Sequence, residues 1–314
     1  MSLEKAANII LRNCMGLRSY ESCLIVTDSK LKNIGKILYK NSLNITQKSK
    51  LTLTPIPEAH GTEPPKYISD EMLRYNVVLI PTTKSLSHTK SRENASKKGA
   101  RIASMPGITI EMMKRALNIS FNKIKIINEK LIKKLKNKNK IKVTATKGTN
   151  IEFYTKGRKW MGDDGIYTKK GAFGNLPAGE VFIAPLEGKI NGIIVVDASV
   201  GSIGKVDENI KIIVKNGFIA DVQGGKAADQ FKKSLKNKLY KNVAELGIGT
   251  NYKAKITGNV LEDEKVAGTC HIAFGNNKHF GGLVDVPFHA DVVIKKPTIY
   301  ADEILIMKNG NVKI

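Results

Sequence analysis

Cysteine is scarce in this 314-residue chain: Cys14, Cys23 and Cys270 are an odd number, without paired metal spacing. That excludes a disulfide framework and fits a reducing compartment. Long hydrophobic runs are also missing, none approaching the roughly 20 uncharged apolar residues of a membrane span. The opening Met1-Ser2-Leu3-Glu4-Lys5 has no apolar signal core behind it. A cytoplasmic protein with no membrane partner is therefore expected. No G-x-G-x-x-G or G-x-x-x-x-G-K-S/T run follows an apolar strand, so a nucleotide site lacks its phosphate cradle. Ser199-Val200-Gly201-Ser202-Ile203-Gly204 lacks the G-x-S-x-G elbow of a serine hydrolase.

Acidic charge is in short supply as well. Against 52 Lys plus Arg stand 28 Asp plus Glu, a net charge of +24. Such a balance raises nucleic acid as a partner. The excess is almost all lysine, scattered among Ile and Asn, while arginine and aromatics, on which nucleic-acid readers lean, are sparse. Solvated lysine faces are the favoured reading. What the chain has is 41% hydrophobic residues and enough length for two cores.

Residues 1–139 alternate apolar runs with helical patterns. Cys23–Asp28, Leu51–Thr54, Asn76–Pro81 and Arg101–Ser104 read as strands; Lys30–Asn41, Ser91–Lys98 and Thr109–Leu117 read as helices. The alternation predicts a doubly wound α/β domain with a parallel sheet. A lysine-rich, apolar-periodic segment from Ile119 to Lys140 reads as the connecting helix. From 140 to 314 the texture becomes short strands and glycine turns: a hairpin about Lys147-Gly148-Thr149, another about Asn216-Gly217, and a last one ending at Val312-Lys313-Ile314. Ala227–Leu239 restores a helix. This half is expected to be a mainly antiparallel α+β domain.

Ligands of doubly wound sheets collect at strand carboxyl ends. There the sequence puts Asp28, His60 and His88, with substrate contacts and ordinary loop roles equally open for the histidines. The last quarter is more specific. His289-Ala290-Asp291 in an extended segment points an imidazole and a carboxylate to one face, because strand side chains alternate with period two. His271, in Thr269-Cys270-His271-Ile272-Ala273-Phe274-Gly275, can add a third ligand from a neighbouring strand. Imidazole and carboxylate suit zinc, manganese, cobalt or iron(II). Glu180 and Glu245 are lone charges in apolar, glycine-bearing runs. A buried carboxylate needs a metal or an Arg or Lys partner.

These boxes resemble the thermophilic metalloprotease family, the metal-dependent aminopeptidases of the T and S type. The resemblance rests on Asn-x-Pro-x-x-Glu-Val-Phe-x-x-Pro at 175–185, Glu-Leu-Gly-Ile-Gly at 245–249, Cys-His-Ile-Ala-x-Gly at 270–275 and His-x-Asp at 289–291. It implies that Glu180, Glu245, His271, His289 and Asp291 hold two divalent ions, zinc, cobalt or manganese, about 3.5 to 4 Å apart. It also implies hydrolysis of peptides from the amino terminus, with Glu245 in a catalytic role, and a homodimer. One departure is Lys278, with His279 beside it, where the family has a tyrosine; either side chain would offer a donor to a developing oxyanion.

A related ring-cleaving dihydroxypyridine dioxygenase is similar in fold. It implies an alternative in which His271, His289 and Asp291 form the facial triad of a mononuclear iron(II) oxygenase. A third alternative is a non-catalytic, RNA-associated protein. The tryptophan in Lys156-Gly157-Arg158-Lys159-Trp160 reads as a partly buried hairpin corner, and Glu264 as a candidate neighbour of the ligands.

Overall fold

A computed structural model describes residues 2–313; Met1 and Ile314, the latter predicted to end the last hairpin, lie outside the described residues. The chain up to Phe121, together with Asp163–Ala178, forms one compact unit; Asn122–Gly162 and the chain from Gly179 onward form the second. These units differ from the boundary at 139/140 read from the sequence. The Phe121–Leu135 helix sends Leu131 and Leu135 into the core of the second unit, and Phe173–Asn175 adds a strand to the sheet of the first.

In the first unit, Ser49–Leu53, Cys23–Thr27, Val77–Ile80, Arg101–Ser104 and Phe173–Asn175 lie side by side in that order, all parallel. The order reverses beside Cys23–Thr27, the signature of a doubly wound sheet. Continuous apolar runs form these strands because helices cover a parallel sheet on both sides: Cys23–Thr27 and Val77–Ile80 are buried at every position. Lys90–Lys98 begins where the Thr89 hydroxyl accepts from Arg92 N, and it ends at Gly99 with φ +112°. A left-handed glycine of this kind is the usual helix stop.

The second unit contains two sheets. One, of eight strands, runs Phe218–Gln223, Ile210–Lys215, Asn191–Val196, Asn150–Tyr154, Lys140–Thr144, Thr298–Ala301, Ile304–Lys308, Asn311–Val312. Its hairpin at Asn216-Gly217 has φ +49° and +76°, the two positive values of a type I′ turn. The other sheet places Ser199–Val200, His289–Lys295, Thr269–Gly275, Val243–Gly249 and Glu180–Ile183 in succession, antiparallel throughout. Ile141, Phe153, Ile194 and Ile212 from the first meet Val181, Leu246, Ile248, Ile272, Phe274, Val292 and Ile294 from the second in one core. Each such side chain contributes about 1.5 to 3 kcal/mol by leaving water.

The helix expected over Ala227–Leu239 is shorter, Lys226–Ser234. A separate turn of 3-10 helix over Lys238–Lys241 starts afresh where Asn237 Oδ1 accepts from Leu239 N and Tyr240 N. Trp160, read as a partly buried hairpin corner, is buried in the core of this unit.

Candidate metal centre

The strands of the second sheet have two different faces, and the pairing register says why. Glu245 stands opposite Ala273, which stands opposite Asp291; His271 lies opposite Gly247, His289 opposite Gly275, and Glu180 opposite Gly249. Directly paired residues share a face. Glu180, Glu245, His271, His289 and Asp291 therefore all stand on one face, while Leu246, Ile248, Ile272, Phe274, Val292 and Ile294 fill the core on the other. Small residues separate the five. A Cβ added at Gly247 would sit 2.0 Å from His271 Nε2, so the imidazole lies across space that only glycine leaves.

The five polar side chains fall into two overlapping groups. Donor atoms of Glu180, Glu245 and His271 lie within 4.8 Å of one another, as do those of Glu245, His289 and Asp291. His271 Nε2 is 3.3 Å from Glu180 Oε2 and 3.4 Å from Glu245 Oε1. His289 Nε2 is 3.5 Å from Glu245 Oε2 and 3.6 Å from Asp291 Oδ1. Four of the five are buried, and His289 is 16% exposed at its side chain. Glu180 Oε2 and His271 Nδ1 are buried without a hydrogen-bond partner.

Burial alone would lower the His271 pKa, but the hydrogen bond to Glu245 and the charges of Glu180, Glu245 and Glu264 push it up to about 9. His289 follows the same logic: desolvation is outweighed by Asp291 and Glu245, and the value rises to about 10. For Asp291, burial is likewise outweighed, here by His289, His271 and Lys265, which hold its carboxyl well below the usual range. Without an ion, two protons thus take the place of a divalent charge among the carboxylates. Carboxylates and imidazoles turned toward one another, with a carboxylate oxygen left unbonded, are a donor set for a divalent cation.

Neighbours fix this geometry. His289 Nδ1 lies 2.9 Å from the Asn276 carbonyl. The Phe280 ring meets His289 edge-on at 6.0 Å and Phe182 at 5.8 Å. Phe280 rides on a loop tied down by Glu187, whose Oε1 accepts from Asn277 Nδ2 and Leu283 N and whose Oε2 pairs with Arg158. Lys265, passed over among so many lysines in the sequence, is 2% exposed and donates from Nζ to Glu180 Oε1 at 2.5 Å and Glu264 Oε1 at 2.7 Å.

Lys278 and His279 are the expected oxyanion donors. Both are exposed, and Lys278 Nζ pairs with Asp285 Oδ2 at 2.7 Å. In the first unit, Asp28 Oδ1 accepts from Lys30 N and Leu31 N, a turn-forming role. His60 Nδ1 accepts from Ser85 N at 3.2 Å in an exposed loop. The acidic run Glu262-Asp263-Glu264 is buried: Glu262 Oε1 accepts from Lys255 N and Asp263 Oδ2 from Gly258 N. Among the described residues no helix is long and apolar enough to cross a membrane.

A five-stranded parallel sheet and a mainly antiparallel second unit define a fold that known structures share. The dihydroxypyridine dioxygenase structure from Pseudomonas putida KT2440 superposes with a TM-score of 0.85 at 18% identity, over 99% of this chain and 96% of that one. AmpT from Thermus thermophilus superposes with a TM-score of 0.76 at 15% identity, over 99% of each chain. By sequence, the 2,5-dihydroxypyridine 5,6-dioxygenase of P. putida KT2440 is 25% identical over 284 residues, 82% of this chain and 79% of that protein. The family model described as NicX, 2,5-dihydroxypyridine 5,6-dioxygenase, matches residues 34–314. The chain belongs to that family.

Membership overturns the reading of the chain as a hydrolase. The metallo-aminopeptidase and protease expectations gave the wrong enzyme class, since the family and the curated relative are named as dioxygenases. The likeness to aminopeptidase T holds for the fold. The error has a chemical cause: imidazole and carboxylate ligands serve metal-assisted hydrolysis and oxygen chemistry alike.

Proposed function

We propose that this chain is a ring-cleaving dioxygenase that holds iron(II) through His271, His289 and Asp291 and acts on a dihydroxylated pyridine ring. The observation that carries the reading is the presence of two imidazoles and a carboxylate on one face of two adjacent strands, within a chain whose family match spans 34–314. His271 is a diagonal neighbour of Asp291 across the pair, a spacing of about 7 to 8 Å between backbones that long side chains bridge. When bound, iron(II) in a two-histidine, one-carboxylate set supplies positions at which oxygenases activate dioxygen. Both oxygen atoms enter a dioxygenase product, so no outside reductant is consumed.

The remaining roles belong to the protein's own groups. The Asn276 carbonyl accepts from His289 Nδ1–H, so that Nε2 is the nitrogen left to serve as the ligand once metal displaces its proton. Glu245 lies between the two imidazoles, its carboxylate positioned to accept a proton from a ring hydroxyl. Phe280 meets His289 edge-on and Phe182 backs Phe280, an aromatic wall that excludes water and suits a flat ring.

The test is oxygen uptake by iron(II)-loaded protein given 2,5-dihydroxypyridine, with catechol as comparison. Stoichiometric uptake with loss of the pyridine absorbance is expected, together with its disappearance in His271→Ala, His289→Ala and Asp291→Ala. An iron-loaded, folded protein that consumes no oxygen with dihydroxypyridines overturns the proposal.

A further inference from the structure

Donor atoms alone would seat two ions, because Glu245 belongs both to the group with Glu180 and His271 and to the group with His289 and Asp291. One side chain stands against that. Lys265 is buried at 2% exposure, and its Nζ lies 2.5 Å from Glu180 Oε1. Its second contact, Glu264 Oε1 at 2.7 Å, holds the ammonium from the other side. The backbone leaves it little freedom: Lys265 N donates to the Glu262 carbonyl at 3.0 Å, and its own carbonyl accepts from Asn251 N at 2.8 Å. The lysine is thus built in from both ends.

We infer that the Lys265 ammonium stands in the place of a second metal ion, claiming Glu180 and restricting the centre to one divalent cation. The inference rests on the reading of this cluster as a metal site. Charge supports it. Glu180, Glu245 and Asp291 carry three negative charges, which one ammonium and one divalent ion neutralise. A second divalent ion would leave two positive charges uncompensated among buried groups, and counting Glu264 as ionised would still leave one. Uncompensated buried charge costs several kcal/mol. A lysine also differs from an ion in lasting effect, since it cannot dissociate and takes no substrate oxygen into its coordination. The ammonium on Glu180 Oε1 is thereby permanent, and one exchangeable cation is left to His271, His289 and Asp291.

The experiment counts metal. The full-length chain and its Lys265→Met and Lys265→Arg variants are equilibrated with manganese(II) alone, and bound metal per chain is measured by elemental analysis and titration. One ion is expected in the unsubstituted protein and in Lys265→Arg, and two in Lys265→Met, whose melting temperature should rise more steeply with manganese than that of the unsubstituted protein. Two ions with Lys265 intact overturn the inference, as does a folded Lys265→Met that binds only one. Should Lys265→Met fail to fold, Glu180→Gln decides: the single ion is retained if Lys265 serves Glu180, and its loss overturns the inference. Absence of bound metal from the unsubstituted protein overturns the metal reading itself, which keeps the two failures distinct.

Discussion

His289 Nδ1 lies 2.9 Å from the Asn276 carbonyl oxygen, so a backbone group selects which nitrogen of that ring faces Glu245 and Asp291. A backbone acceptor cannot be removed by substitution, but the ring that uses it can be exchanged. His289→Gln keeps a polar side chain and loses the imidazole. Losing even an outer hydrogen-bond partner of a ligand costs roughly 10- to 100-fold in metal affinity. His289→Gln should therefore weaken iron(II) binding by more than that, measured by chelator competition; an unchanged affinity would remove His289 from the centre.

Gly247 is the counterpart of His271 on the next strand, where an added Cβ would lie 2.0 Å from His271 Nε2. Gly247→Ala should push the ring off its place, with a strain of about 1 to 3 kcal/mol. The expected result is at least a tenfold loss of metal affinity with unchanged far-ultraviolet circular dichroism. Retained affinity would show that the ring position does not matter.

The response to pH should have opposite signs with and without metal. The folded pKa values of about 9 for His271 and about 10 for His289 lie above the ordinary 6.5. In the ion-free protein, their contribution to stability is fully present below pH 6.5 and is lost as pH rises through 9 to 10. Metal must displace those protons, so affinity should climb over the same interval. Melting temperatures of ion-free protein and manganese titrations from pH 6 to pH 9 test both slopes, and an affinity flat across that span contradicts the protonated resting state.

Adjacent residues of one strand should separate folding from binding. Ile272 is buried in the core behind the centre, and Ile272→Ala should cost about 2 to 5 kcal/mol in urea unfolding. Its neighbour faces the other way: His271→Ala should abolish retention of iron and, measured above pH 9, where its proton no longer contributes to stability, should move the urea midpoint of ion-free protein far less. Equal stability losses from both would refute the two-faced strand.

Much of this was legible in the sequence, for physical reasons that also mark its limits. Val77–Ile80 and its companions announce a parallel sheet because both of their faces are buried. Glu180 and Glu245 stand out because a charge in an apolar run needs a counter-charge, and the sequence left metal and lysine open as the answer. Glu180 contacts Lys265 directly. That lysine was invisible among its surface fellows, since only the turn between Val260–Asp263 and Thr269–Gly275 carries it inward. The return of Phe173–Asn175 to the first unit was equally hidden, because three residues carry no periodic pattern. Enzyme class was misread because it depends on what the ions and substrate do between donors that are common to both chemistries.

The alternation that gives Thr269–Gly275 one apolar face and one metal-facing side also constrains what kinds of change the strand tolerates. Substitutions at single positions touch either the core or the centre. Insertion or deletion of one residue would do both at once, turning Ile272 outward and His271 into the hydrocarbon interior, and the slip would carry along every later residue of the strand. The length of this segment is therefore fixed more tightly than its composition.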